Sequence, residues 1–169
     1  FTREVRAGET AESIKQQPAI AATREAYKRC GKDPSRYRPS AEALRRRLMR
    51  GLELYQIDTL VDLINLVSLR TGYSIGGFDA DKIQGDSLEL GIGRAEEPFE
   101  GIGRGALNIE GLPVYRDRAG GIGPPTSDNE RTKMGLETRR ILAIVNGYNG
   151  REGLAEAAGM IQELLRKYA

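Results

Sequence analysis

The side chains of this sequence that could do chemistry are carboxylates, amides and hydroxyls, because histidine is absent and Cys30 is the single cysteine. Without histidine the chain cannot form a Ser-His-Asp or Cys-His nucleophile. A zinc site built on imidazole is excluded for the same reason, and one cysteine cannot replace it. We therefore expect no metal and no cofactor. The sequence assigns no catalytic residue, so any catalysis must use polar side chains, backbone groups or the substrate itself.

A stripe of polar residues runs along the apolar segment that precedes the glycine pair Gly76-Gly77. Asp62, Asn65 and Ser68 recur every three residues, which places them along one side of a predicted helix. The stripe is either the solvent face of that helix or the wall of a polar site, and the residues alone leave both interpretations open. The glycine pair is expected to follow a turn and to expose bare backbone, which would allow a ligand to approach closely.

Positive charge is concentrated between Arg24 and Arg50. This window holds ten basic and three acidic residues, a net charge of +7, and because the whole chain carries +2 the remainder carries −5. The asymmetry indicates an anionic partner that contributes phosphates. The alternative is that these cations only cover two solvated helix faces. The arginines that we predict to contact such phosphates are Arg36, Arg38, Arg46, Arg47 and Arg50.

Hydrophobic periodicity and capping signals predict the helices that must position these residues. Proline suits the first turn of a helix, and serine, threonine or aspartate suits the cap before it. The predicted helices are a short one capped by Thr10 and reaching about Gln16, one from Pro18 to Gly31, one capped by Ser40, one capped by Asp58 or Thr59, and one from Arg151 to Tyr168.

The apolar period changes to two after Gly72, which indicates β-strands. Strands are predicted at Leu88–Ile92, at Leu107–Ile109, at Val114-Tyr115 after a turn, and in the apolar run from Arg139 to Val145. Helices come first, strands cluster in the middle, and a helix closes the chain. This order predicts an α+β fold with a sandwich-like β-sheet core, flanked by the basic N-terminal helices and the C-terminal helix.

Length and composition predict one compact domain over residues 1–169. No apolar run approaches the roughly 20 residues of a membrane helix, so we expect no membrane partner. A single cysteine suits a reducing compartment, and we expect a cytoplasmic protein. Because the chain begins with Phe1 instead of Met, we also expect that an N-terminal segment is missing.

Two segments resemble a known family, the tRNA-binding and editing module of the bacterial phenylalanyl-tRNA synthetase beta chain, which is its paired B-three/B-four domain. The first is RPSAEALRRRLMRGLELYQIDTLVDLINLVSLRTGYSIGGFDADKI, from Arg38 to Ile83, and the second is RTKMGLETRRILAIV, from Arg131 to Val145. Together they cover most of residues 24 to 145. The resemblance implies a stand-alone version of that domain, whose partner is tRNA or the 3′ end of aminoacyl-tRNA.

The resemblance also implies which residues line an aminoacyl pocket. The family's pocket asparagine matches Asn65, and its loop glutamate, which reads the hydroxyl of a wrongly attached tyrosine, matches Glu130. Two other family residues, a threonine and a histidine, are replaced by Ile64 and Gly76. The substrate-binding residues predicted in this way are Asn65, Ser68, Gly76, Gly77, Thr126 and Glu130.

Two functions of different classes follow from the resemblance. The first is a deacylase that hydrolyses misacylated tRNA in trans, with Asn65 and Thr126 orienting the ester and Glu130 recognising the amino acid. Such an ester is already activated, so holding a water in register could suffice without a strong base. The second is a non-catalytic RNA-binding module. The retained Glu130 favours the first function, whereas the replacements at Ile64 and Gly76 favour the second.

Overall fold

The structure is a computed structural model that describes residues 8–169. The segment expected before Phe1 lies outside the described residues. Helices precede the strands along the described chain, and a final helix follows them. The helices are α1 (Ala11–Gln16), α2 (Pro18–Arg29), α3 (Ser40–Met49), α4 (Thr59–Thr71) and α5 (Leu154–Tyr168).

The helix starts confirm most of the predicted capping signals. The Thr10 side chain accepts a hydrogen bond from the backbone of Ser13, and Pro18 is the first residue of α2. Asp58 caps α4 by accepting from the Val61 N–H at 2.9 Å. The prediction that Ser40 caps α3 is wrong, because Ser40 is the first residue inside the helix and its N–H instead donates to the Pro125 carbonyl at 2.9 Å.

The strands of the described chain form three small antiparallel sheets. β1 pairs with β7, β5 lies between β2 and β6, and β3 pairs with β4. The strands are β1 (Ser74–Asp79), β2 (Glu89–Ile92), β3 (Glu100–Gly101), β4 (Gly105–Ala106), β5 (Pro113–Asp117), β6 (Gly120–Gly123) and β7 (Ile141–Asn146). The helices together with these antiparallel sheets confirm the predicted α+β class.

Two sequence predictions about strands are wrong. The pair Gly76-Gly77 does not follow a turn but lies in the buried strand β1, opposite Ile144 and Ala143 of β7. No strand forms at Leu107–Ile109 in the described chain; the Leu107 N–H donates to the carbonyl of Phe99 at 2.9 Å, although Ile109 is fully buried. The alternation of apolar side chains therefore indicated the burial of Ile109 correctly, but it did not indicate the secondary structure there.

The larger apolar cluster joins α4, α5 and the β1–β7 pair. Its buried members include Ile64 and Val67 of α4, Ile75 of β1, and Ala157 and Ile161 of α5. Fully burying a side chain such as valine or isoleucine contributes about 1.5 to 3 kcal/mol, so this cluster fixes α4 against β1. A second cluster packs Tyr27 of α2 against the sheet that contains β5.

A buried carboxylate, that of Glu42 in α3, gathers several arginines of the basic window. Its side chain is fully buried and accepts from Arg24 Nη1 at 2.8 Å and from Arg46 Nε at 2.7 Å. Arg38 Nε lies 3.6 Å from the same carboxylate. These contacts tie α2, α3 and the connection between them. Part of the positive charge that the sequence assigned to RNA therefore neutralises an acid inside the protein.

Replacing Glu42 with glutamine should leave the surrounding guanidinium groups without a counter-charge in a buried setting. We expect the free energy of unfolding to fall by about 3 to 5 kcal/mol, the usual cost of breaking a buried ion pair. Urea unfolding of both proteins would measure this. The matched control is Glu25→Gln, which removes an exposed glutamate 3.7 Å from Lys28 and should hardly change stability. Equal effects of the two substitutions would contradict a structural role for Glu42.

Candidate functional site

A cavity of about 130 Å³ lies where α3, α4, β1 and the loop after β6 meet. Ser40 at the N-terminus of α3 and Asn65 in the middle of α4 contribute to it, as do β1 and the loop after β6 (residues 124–129), which we call the cavity loop. The residues that line it are Ser40, Asn65, Ile75, Gly76, Pro124, Pro125, Ser127 and Asp128. Most of these side chains are small or polar, so the cavity suits a small polar ligand group.

The carboxylate of Asp128 is the charged group of this cavity. Asp128 Oδ2 accepts the backbone N–H of Gly77 at 3.0 Å, whereas no described residue donates to Oδ1. No cationic side chain pairs with Asp128 in the described chain. Burial raises the pKa of Asp128 to about 7, and the hydrogen bond from Gly77 opposes that shift only in part. The cavity therefore contains a carboxyl group that changes its charge near neutral pH.

The glycines around Asp128 make room for its side chain. A Cβ at Gly76 would lie 3.1 Å from Asp128 Oδ1 and 2.7 Å from the ring of Phe78. A Cβ at Gly123 would meet the same two groups at 2.9 and 2.8 Å. A Cβ at Gly77 would lie 2.6 Å from the Met134 methyl carbon. Glycine is required in β1 because these side chains occupy the space of a Cβ.

The structure brings some predicted substrate-binding residues to this cavity. Asn65 and Gly76 line it, and Gly77 contributes the N–H that holds Asp128. The Asn65 amide is half-buried and makes no side-chain hydrogen bond to another described residue, so it is available to a ligand. The side of α4 that carries Asn65 is thus the wall of a cavity at this point, and substrate binding there stays a prediction.

Two other predicted residues lie outside the cavity lining and use their hydroxyls within the protein. Ser68 donates to the Tyr73 carbonyl at 2.6 Å, near the end of α4. Thr126 donates to the Tyr37 carbonyl at 3.0 Å, and its hydroxyl also lies 2.8 Å from that of Tyr27. Thr126 therefore ties the cavity loop to the connection between α2 and α3 (residues 30–39), which contains Tyr37 and which we call the basic loop.

Glu130 is not brought to the cavity. It begins a short 3₁₀ turn, Glu130–Thr132, and its carboxylate forms an ion pair with Lys133. The acid that borders the cavity is Asp128, which is not among the site residues predicted from the sequence. No local signal distinguishes it, because its environment comes from a strand 51 residues away in the sequence.

The arginines predicted to contact RNA have different surroundings. Arg36 and Arg50 are exposed. Arg47 is half-buried, donates through Nε to the Glu53 carbonyl and lies with its guanidinium carbon 3.8 Å from the ring centroid of Tyr55. Since Arg38 and Arg46 adjoin the buried carboxylate in α3, the cations most accessible to a phosphate in this set are Arg36 and Arg50.

Residues 22–164 match the sequence profile of the B3/4 domain, and the chain belongs to this family. It is the paired B3/B4 domain found in the phenylalanyl-tRNA synthetase beta chain, where it is associated with tRNA binding and editing. Among curated proteins, none matches this sequence. In the part of the chain that the structure describes, no helix is long and apolar enough to cross a membrane.

The raised pKa of Asp128 predicts a pH-dependent cost in stability. Below about pH 4 the carboxyl is protonated in both the unfolded and the folded protein. Between about pH 4 and 7 only the unfolded protein releases the proton, so the free energy of unfolding falls by up to about 4 kcal/mol, and above pH 7 this contribution stays constant. Asp128→Asn should therefore stabilise the protein at pH 8 and not at pH 4.

Urea unfolding at both pH values would measure this difference. Asparagine keeps an oxygen that can accept from Gly77, so the substitution removes the charge and not the contact. Asp86→Asn is the control, because Asp86 is exposed and should show no such difference between pH 4 and pH 8. If Asp128→Asn destabilises the protein equally at both pH values, the carboxylate is not the desolvated group described above.

Proposed function

We propose that this chain binds the aminoacylated 3′ end of tRNA in the cavity and hydrolyses the ester of a wrongly attached amino acid in trans. One observation carries the proposal: in a chain of the B3/4 family, a small cavity is bordered by an amide and a carboxylate that both have unused hydrogen-bonding capacity. These groups belong to Asn65 and Asp128. Polar groups that converge on a cavity with hydrogen-bonding capacity left unused by their own chain are typical of a ligand site.

Hydrolysis of the aminoacyl ester depends more on the positioning of the ester and the water than on a strong base. In the hydrolysis, water adds to the ester carbonyl carbon, the bond to the ribose oxygen breaks, and that oxygen leaves with a proton. The Asn65 amide N–H can donate to the carbonyl oxygen as it gains negative charge. Fixing the ester and the water together converts a bimolecular reaction into an effectively unimolecular one. A site without histidine can therefore accelerate cleavage of this activated bond.

The basic loop next to the cavity supports tRNA as the ligand. Arg36 and Arg38 lie just before α3, whose first residue, Ser40, lines the cavity. The hydrogen bond from Thr126 to the Tyr37 carbonyl holds this basic loop against the cavity loop. An RNA strand that contacts the arginines through its phosphates would thus have its terminal nucleotide near the cavity.

Replacing Asn65 with alanine should slow hydrolysis of mischarged tRNA by about a hundredfold, the effect of losing one donor to a developing oxyanion. The measurement is the rate of deacylation of one tRNA body carrying different amino acids. Asn149→Ala, which removes an exposed amide, is the control and should keep the rate of the parent protein. A parent protein that binds tRNA and hydrolyses none of these esters would instead be a non-catalytic RNA-binding module.

Binding of uncharged tRNA should depend on the exposed arginines. Because each phosphate contact releases counterions, Arg36→Ala and Arg50→Ala should each reduce the magnitude of the negative slope of log affinity against log salt by about 0.7 to 0.9. Arg166→Ala on α5 is the control and removes an exposed arginine outside the basic window. Binding titrations between low and moderate salt would give the slopes. Unchanged slopes for both variants would contradict RNA contact at these residues.

A further inference from the structure

The acidic group of the cavity has no counter-charge from the protein. Asp128 is the only charged residue among those that line it, and no described cation pairs with Asp128. A carboxylate removed from water without a cation is costly, and a ligand that supplies the cation recovers that cost. An amino acid attached to tRNA through its carboxyl group still carries its α-ammonium group, which is a cation of this kind.

Building on the proposed function, we infer that the cavity selects a small aminoacyl group with a free α-ammonium, such as alanyl or seryl, and that Asp128 binds the ammonium. Asp128 Oδ2 is already held by Gly77 at 3.0 Å. The other oxygen has no described donor and can accept from the ligand. Asn65 remains free for the ester carbonyl, so the two side chains contact different parts of the same group.

The size of the cavity limits the side chain of the amino acid. Its volume is about 130 Å³, slightly less than the roughly 150 Å³ of a cavity that holds benzene. An alanyl group has fewer non-hydrogen atoms than benzene, whereas a tyrosyl group has about twice as many. Alanyl and seryl groups therefore fit within the cavity with their ammonium at Asp128, whereas a tyrosyl group would extend beyond it.

Backbone contacts hold several of the residues that line the cavity. Gly76 is paired with Ile144 in the sheet. The loop is fixed on both sides of Asp128, because the Asn129 N–H donates to Ile122 at 2.7 Å and the Ser40 N–H donates to Pro125 at 2.9 Å. The consecutive prolines at 124 and 125 further restrict the loop. These contacts restrict movements of the loop that would widen the cavity.

A second observation argues against selection of tyrosine. The family resemblance assigns the tyrosine hydroxyl to Glu130, but in this chain that carboxylate forms an ion pair with Lys133 and does not line the cavity. The cavity therefore does not contain the carboxylate that the resemblance assigns to the hydroxyl of tyrosine.

The test is binding of tRNA analogues whose acyl group is attached through an amide, so that hydrolysis does not interfere. One tRNA body would carry alanyl, lactyl or tyrosyl groups, where lactyl has a hydroxyl in place of the ammonium and otherwise the shape of alanyl. We expect the parent protein to bind the alanyl analogue about tenfold to hundredfold more tightly than the lactyl analogue. The tyrosyl analogue should bind no better than uncharged tRNA.

Asp128→Asn should bind the alanyl and lactyl analogues equally, and Asp86→Asn, the exposed control, should keep the preference of the parent. Equal binding of alanyl and lactyl analogues by the parent protein would overturn the ammonium site, and this comparison involves no substitution that could disturb folding. Preference for the tyrosyl analogue would overturn the size limit. A preference for alanyl that survives in Asp128→Asn would overturn the assignment to Asp128.

These outcomes are independent of the hydrolysis assay. A protein that binds the alanyl analogue selectively and hydrolyses no ester would contradict the proposed function while supporting the selectivity. A protein that hydrolyses tyrosyl and alanyl esters at the same rate, and binds their analogues equally, would support the proposed function and overturn the selectivity.

Discussion

The hydrogen bond from the Gly77 N–H to Asp128 connects strand β1 to the loop on which the candidate site depends. This contact requires the loop to approach the backbone of β1 closely, and the approach is possible because Gly76 and Gly123 carry no side chain. Glycine is normally unfavourable in a strand, since it gives up more conformational entropy than other residues. Glycine is nevertheless needed at Gly76 and Gly123, because the Asp128 carboxylate and the Phe78 ring occupy the space that a Cβ would fill.

Contacts inside the protein also reduce the positive charge that is available to a ligand. A count of cations between Arg24 and Arg50 suggests a large anion-binding surface, but Glu42 binds Arg24 and Arg46 in the interior. Lys32 is also buried, and its ammonium donates to the Asn108 and Glu110 carbonyls. A net charge calculated from sequence therefore overstates the number of cations that a phosphate can reach. The positive sign of that net charge is still informative, because exposed arginines remain in this region.

Local signals allowed much of the helical structure to be predicted. Thr10, Pro18 and Asp58 act through contacts with residues a few positions away, so their roles can be read from the sequence. Strand β1 could not be predicted in this way. Its centre is a glycine pair with low β-propensity, and the side chains that require glycine come partly from the distant loop.

The predicted site residues show the same difference between what local patterns reveal and what only the fold reveals. Asn65 was found because it belongs to a periodic stripe on one helix and matches a family position. Ser68 and Thr126 have the same polar character in the sequence, but each gives its hydroxyl to a carbonyl of its own chain. Whether a polar side chain is available to a ligand depends on partners that only the folded chain brings together.

Asp128 connects the stability of the protein to the ligand that we infer. Desolvation raises the pKa of the half-buried Asp128 to about 7, so this carboxyl lowers stability at neutral pH relative to acidic pH. A hydrophobic or amide side chain would avoid that cost, so the acid is difficult to explain by folding alone. A cationic ligand that binds beside it favours the charged form and recovers part of the cost as binding free energy. An α-ammonium next to a labile ester has the charge that this position lacks, and the ester itself needs little further activation. The absence of histidine is compatible with such a site because the ester is already reactive, and in our proposal the carboxylate of Asp128 holds the ammonium group beside that ester.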